Sequence, residues 1–175
     1  MSRKVPHDAL PPLYAAIGET VVNWSMIEAA LGFWVAIIYQ AAGGNRHAKV
    51  IPRELSRRMT FLRLCFNKIA ALQPFATEGR ALLDRIGNIK DTRHMLVHGV
   101  VSDYSPDNHE FLFVRLDLDK AKTMQIIKEL SIPATKMLND SGEAMAIATN
   151  CLDFAERLLQ TLVPEYKGQQ LLRTL

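Results

Sequence analysis

The side chains best suited to chemistry fall in one stretch, Arg93-His94-Met95-Leu96-Val97-His98-Gly99. A guanidinium can steady a developing anionic charge, and an imidazole can give and take a proton near neutrality. Apolar spacing predicts that this stretch closes a helix beginning near Thr77. At about 100° per residue, Leu82, Ile86, Ile89, Leu96 and Val97 share one face of it, with Arg93 near the centre. Arginine is almost never buried without a partner, so Arg93 must either pair inside the fold or line a subunit contact. His98 lies about 140° round the helix, on the polar face with Asp84, Asn88, Asp91 and His94. Two routes would bring Arg93 and His98 together. The helix could loosen at His98-Gly99, or a two-fold axis could set the helix beside its own copy, building a composite cleft from both chains.

Other chemistries find less in the chain. Asp91, His94 and His98 stand at i, i+3 and i+7, a row that can bind a transition metal. No glutamate lies between the histidines and no fourth ligand is evident, so neither a metal nor a cofactor is expected. His94 and Asp91 are instead expected to support the Arg93/His98 pair. Cys65 and Cys151 sit far apart inside apolar helical patterns and read as reduced core thiols. Gly43-Gly44 are too sparse for a phosphate-binding glycine loop. Between Arg46 and Lys68, seven cations (Arg46, Lys49, Arg53, Arg57, Arg58, Arg63, Lys68) face one acid, Glu54, an excess of 7 − 1 = 6. This is either a solvated helix face or a phosphate-tracking surface, in which Arg53, Arg57 and Arg58 would contact nucleic acid.

Four helices must position these residues. The first is expected from about Pro12 to Ala42, with Val21, Trp24, Ile27, Leu31, Trp34, Val35 and Ile38 at helical spacing and Gly43-Gly44 as terminator. The second runs from about Arg53 to Leu72, ended by Pro74, and the third from Thr77 to Val97 with Gly99 behind it. A β insert at about 100–129 follows: Val100–Tyr104 and Phe111–Leu116 around Ser105-Pro106-Asp107-Asn108 read as a hairpin. Thr123–Glu129 reads as a third strand or a short helix. Ser131 would cap the last helix, with Pro133 in its first turn and Gly142 inside it, running to about Val163. The expected fold is mainly α, an up-down antiparallel bundle of about four long helices with a small hairpin or three-stranded insert after helix three. In such a bundle the Trp24-Ile27-Leu31 stripe packs against helix three. Glu28, at its edge, is then a candidate partner for Arg93, as a structural ion pair or a charge-assisted fork.

Length and composition fit a single domain over residues 1–175, 49% apolar. No uninterrupted apolar run approaches the length of a bilayer span, and the basic start lacks a signal-peptide core, so a cytoplasmic protein with no membrane partner is expected. A net charge of +3 and a pI near 8.9 are only mildly basic and say little about a polyanion partner.

The segment Arg93-His94-Met95-Leu96-Val97-His98 resembles the Arg-x(4–6)-His signature of the HEPN superfamily, with a four-residue spacer at a helix end before a glycine. Trp24-Ser25-Met26-Ile27-Glu28 also looks like the tryptophan-x-x-isoleucine-glutamate opening of many bacterial members. The resemblance covers roughly residues 10 to 163. It implies a dimeric helical bundle, often a metal-independent RNase whose active site pairs arginines and histidines of two subunits across the helix-three interface. On that pattern Arg93 would hold the phosphate charge and His98 would be general acid or base for attack by the ribose 2′-hydroxyl. Such members serve in toxin–antitoxin, phage-defence or RNA-processing systems, so RNA and a cognate antitoxin are the implied partners. His94 replaces the usual asparagine after the arginine. Val100 stands where a nucleotidylation-controlled subtype carries tyrosine, which argues against that subtype. The competing reading is a non-catalytic dimerising module that binds RNA or protein.

Overall fold

The computed structural model of the chain describes residues 5–119 and 124–166. It is mainly helical: α1 Leu10–Ala41, α2 Leu55–Lys68, α3 Gln73–His98 and α4 Ala134–Leu162, with β1 Val100–Ser105, β2 Glu110–Asp119 and β3 Met124–Pro133 between α3 and α4. The strands form one antiparallel sheet in the order β1-β2-β3. A strand thus occupies the region left open between strand and helix; Thr123, its expected first residue, lies outside the described residues.

Three helix boundaries differ from the expected ones. Pro74 does not close the second helix; it sits in the first turn of α3, where its missing N–H would have had no partner anyway. α2 stops earlier, at Lys68, because Ile69 is extended (φ −97°, ψ 115°) before a 3₁₀ turn at Ala70–Leu72. At 14 residues α2 is therefore shorter than the long helix expected over Arg53–Leu72. Ser131 does not cap α4 either. Its hydroxyl donates across the strands to the Glu110 carboxylate (2.9 Å), and β3 continues to Pro133.

The chain divides into two compact units, residues up to Asn23 with Asn88–Ala144, and Trp24–Gly87 with residues from Met145 onward. In the first, Leu13 and Ala16 of α1, Met95 and Leu96 of α3, Phe111 and Phe113 of β2, Ile132 and Met137 form the core. The β period of two sends Phe111 and Phe113 inward and leaves Leu112 and Val114 on the other face. Gly99 makes the tight passage from α3 to β1. Its N–H donates to Met95 O at 2.8 Å, and a Cβ there would lie 2.5 Å from the same oxygen. Buried polar groups are tied across α1 and α4: Asn23 Nδ2 donates to Ser141 O (3.1 Å), and Ser141 Oγ to Glu19 (3.1 Å).

The second unit packs around Trp34, whose ring meets Phe154 at 4.2 Å and Phe66 at 6.2 Å, edge-on to the latter. The Trp34 indole N–H donates to Cys151 O at 2.8 Å, so this large buried ring leaves no orphan donor. α1 contains an 18-residue window of mean hydropathy 1.7 within His7–Ala41, long and apolar enough by composition to cross a membrane, which the expectation from uninterrupted runs did not register. Half of that window is buried inside the protein, and Trp24, Ile27, Leu31 and Trp34 belong to the core.

Candidate functional site

The last turns of α3 carry the residues singled out by type. Arg93 is half-buried with its Nε shielded from solvent, whereas Asp91, His94 and His98 are exposed. Arg93 is not at the centre of the buried face there, because the buried arc moves along the helix. Leu82, Leu83 and Ile86 are buried in the earlier turns, and Ile89, Thr92, Met95 and Leu96 in the later ones, a rotation of roughly 115° on the helical wheel. The change follows the packing of Met95 and Leu96 on Phe111 and Phe113, and it sets Arg93 at the flank of the buried face. His94 and His98, one turn apart, bring their rings to 4.8 Å edge-on. Among the described residues no three His, Cys, Asp or Glu side chains are gathered as a metal ligand set.

Glu28 lies in the other compact unit and accepts the indole N–H of Trp24 at 2.8 Å. The basic cluster divides by role. Arg58 is half-buried, donating from Nη1 to Glu28 O (2.9 Å) and from Nε to Pro52 O (3.4 Å). Arg63 donates to Asp84 at 2.6 Å. Arg53 and Arg57 remain exposed and, with Lys49, line a concavity of about 750 Å³ whose wall also includes Val50 and Ile51. Glu54 reaches Arg57 at 3.3 Å, an exposed pair of small energetic weight.

A second cavity, of about 460 Å³, lies in the first unit, and residue types alone gave no sign of it. Asp91, His94 and Met95 line it from α3, Arg115 from β2, and Ile127–Leu130 from β3. Arg115 and Lys128 are opposite each other across the β2–β3 ladder, and both reach Asp117, at 2.7 and 2.8 Å. The signal in the sequence was Arg115-x-Asp117, two charged residues on the face that carries Phe111 and Phe113; it becomes legible only once the strand register is known.

Both cysteines are unsuited to nucleophilic work. Burial pushes the Cys65 thiol up to about 11 and the Cys151 thiol up to about 12, so neither forms thiolate near neutrality. No protein-family model matches the chain, and no curated protein or solved structure gives a significant match.

Proposed function

We propose that this protein is a HEPN-like, metal-independent endoribonuclease that acts as a homodimer with a composite Arg93/His98 site. The observation that carries the reading is the contrast on one helix end: Arg93 half-buried with its Nε shielded from solvent, His98 exposed in the last turn of α3 ahead of Gly99. In the proposed reaction His98 takes the proton of a ribose 2′-hydroxyl, whose oxygen attacks the adjacent phosphorus. The P–O5′ bond breaks, a protonated imidazole returns a proton to the leaving oxygen, and a 2′,3′-cyclic phosphate remains. Arg93 offsets the extra negative charge of the phosphorane. Because the two side chains diverge on one helix, the dimer would form through α3 and its copy, with each chain an up-down four-helix bundle. Arg53 and Arg57 supply an exposed basic surface for the RNA backbone, with Arg58 bracing the segment beneath them. A cytoplasmic setting, with a cognate antitoxin or a phage-defence role, completes the proposal. The test is cleavage of a broad RNA panel with and without chelator by the wild type and by His98→Ala. Chelator-resistant cleavage that disappears in a folded, dimeric His98→Ala variant is the expected result. Absence of cleavage in the wild type, or its survival in the variant, favours the binding-module reading.

A further inference from the structure

The cavity beside β3 has the form of a groove along a sheet edge. Side chains alternate between faces of a strand, so a cavity over one face meets every second residue. This one is lined by four residues in succession, Ile127, Lys128, Glu129 and Leu130, so it takes in both faces of the edge strand, and Arg115 of β2 joins it from the inward face. β3 is the last strand of the sheet, with a strand neighbour on one side only among the described residues. The opposite wall is one face of α3, presenting Asp91, His94 and Met95 at i, i+3 and i+4. An open strand edge facing a helix across a gap is the setting in which an extended peptide adds as another strand, main-chain hydrogen bonds giving affinity and alternate side chains giving selectivity.

We propose that this groove takes an extended peptide of a partner protein, paired antiparallel with Ile127–Leu130 as a fourth strand. Register fixes the chemistry of the occupant. Lys128 is opposite Arg115 and so points to the inward face, where Arg115 and Asp117 also lie; Glu129 is opposite Val114 on the outward face. A peptide residue opposite Lys128 would lie near Lys128, Arg115 and His94, and an acid suits it. Asp91 lines the helix wall on the same side, and Asp117 is already shared by Arg115 and Lys128, so one acid suffices there. The next position, opposite Glu129, takes lysine or arginine. Leu130 and Ile127, 38% and 64% exposed, ask for apolar partners on the flanks. Read from its N-terminus, the occupant is apolar-basic-acidic-β-branched, about four residues long to match the four edge residues.

The full-length protein is titrated with two labelled hexapeptides, Thr-Leu-Lys-Glu-Val-Thr and its charge-reversed form Thr-Leu-Glu-Lys-Val-Thr, by fluorescence anisotropy, with backbone amide shifts followed in parallel. The first is expected to bind saturably, about fivefold to tenfold more tightly than the second, with the largest shifts at Ile127–Leu130. The double exchange Lys128→Glu with Glu129→Lys should reverse the preference. Equal binding of the two peptides, no saturable binding by either, or an unreversed preference in a folded double variant overturns the proposal. So does protection of the Ile127–Leu130 amides without peptide in a dimer, since a second copy would then occupy the edge.

Discussion

Arg58 of α2 donates through Nη1 to the backbone carbonyl of Glu28 in α1 at 2.9 Å, while its neighbour Arg57 points to solvent. Two adjacent arginines in one basic cluster therefore do different things. Arg58→Ala should lower the free energy of unfolding by about 1.5–3 kcal/mol, because a charge-assisted hydrogen bond to a half-buried carbonyl is lost. Arg57→Ala should change stability by less than about 0.5 kcal/mol. For the proposed RNA binding the order reverses. Arg57→Ala should weaken affinity and reduce the slope of log K against log salt by about 1, the signature of one lost phosphate contact. Denaturant unfolding and salt-dependent filter binding check the pair. An unchanged salt slope in Arg57→Ala removes this arginine from the RNA surface.

Two glycines make an opposed prediction about packing. A Cβ on Gly79 would lie 2.5 Å from the Phe66 ring and 3.1 Å from Phe154, so Gly79→Ala forces the aromatic core apart. A loss of about 1–3 kcal/mol is expected. Gly142, inside α4, has nothing within 4 Å of a Cβ, so alanine there only removes a flexible residue from a helix interior. Gly142→Ala should gain about 0.5–1 kcal/mol. Thermal melts of the two variants should move in opposite directions from the wild type.

The helices were legible because their apolar residues recur at 3.6-residue spacing over many turns, and the hairpin because β-branched runs flank Ser105-Pro106-Asp107-Asn108. Two things were not. Pro74 can end one helix or open the next, and the extended backbone of Ile69, which decides between them, has no strong residue signature. The helical wheel also assumed one buried stripe along all of α3, whereas the stripe rotates where Phe111 and Phe113 take over as neighbours. That rotation depends on contacts distant in sequence. The Arg115–Asp117–Lys128 cluster was hidden for the same reason, since only strand register puts Lys128 opposite Arg115. Arg93 and His98 could be chosen by type, but type did not tell how far each is buried.

The buried thiols give the fold an alkaline limit. In the folded protein burial raises Cys65 from 9.0 to about 11 and Cys151 from 9.0 to about 12, so the native state holds these protons more firmly than the unfolded chain. A raised folded pKa stabilises fully below the unfolded value and is lost as pH climbs through the folded one. Unfolding free energy should therefore fall between about pH 9 and pH 12. The Cys65→Ala/Cys151→Ala protein, though less stable at neutral pH, should show a shallower fall. Thiol titration checks the same point: both cysteines should resist a thiol reagent at pH 8 and react on unfolding. Equal alkaline slopes in the two proteins would assign the loss to lysines and tyrosines.

The RNase proposal makes its sharpest demand through Arg93 and His98 taken separately. His98 is exposed and contacts the His94 ring, so His98→Ala should leave stability within about 0.5 kcal/mol of the wild type while abolishing cleavage. Arg93 is half-buried, so Arg93→Ala should cost stability as well as activity; Arg93→Lys keeps a charge but loses the planar fork suited to a phosphorane. Arg93→Lys should therefore bind a non-cleavable 2′-deoxy substrate nearly as well as the wild type yet cleave RNA at least about 100-fold more slowly. Measured together, kcat and substrate affinity separate the two alternatives for this helix end. A fall in kcat at constant affinity places Arg93 in the transition state. A parallel fall in binding and stability, with cleavage per bound substrate unchanged, makes it a structural arginine and leaves His98 without a partner in catalysis.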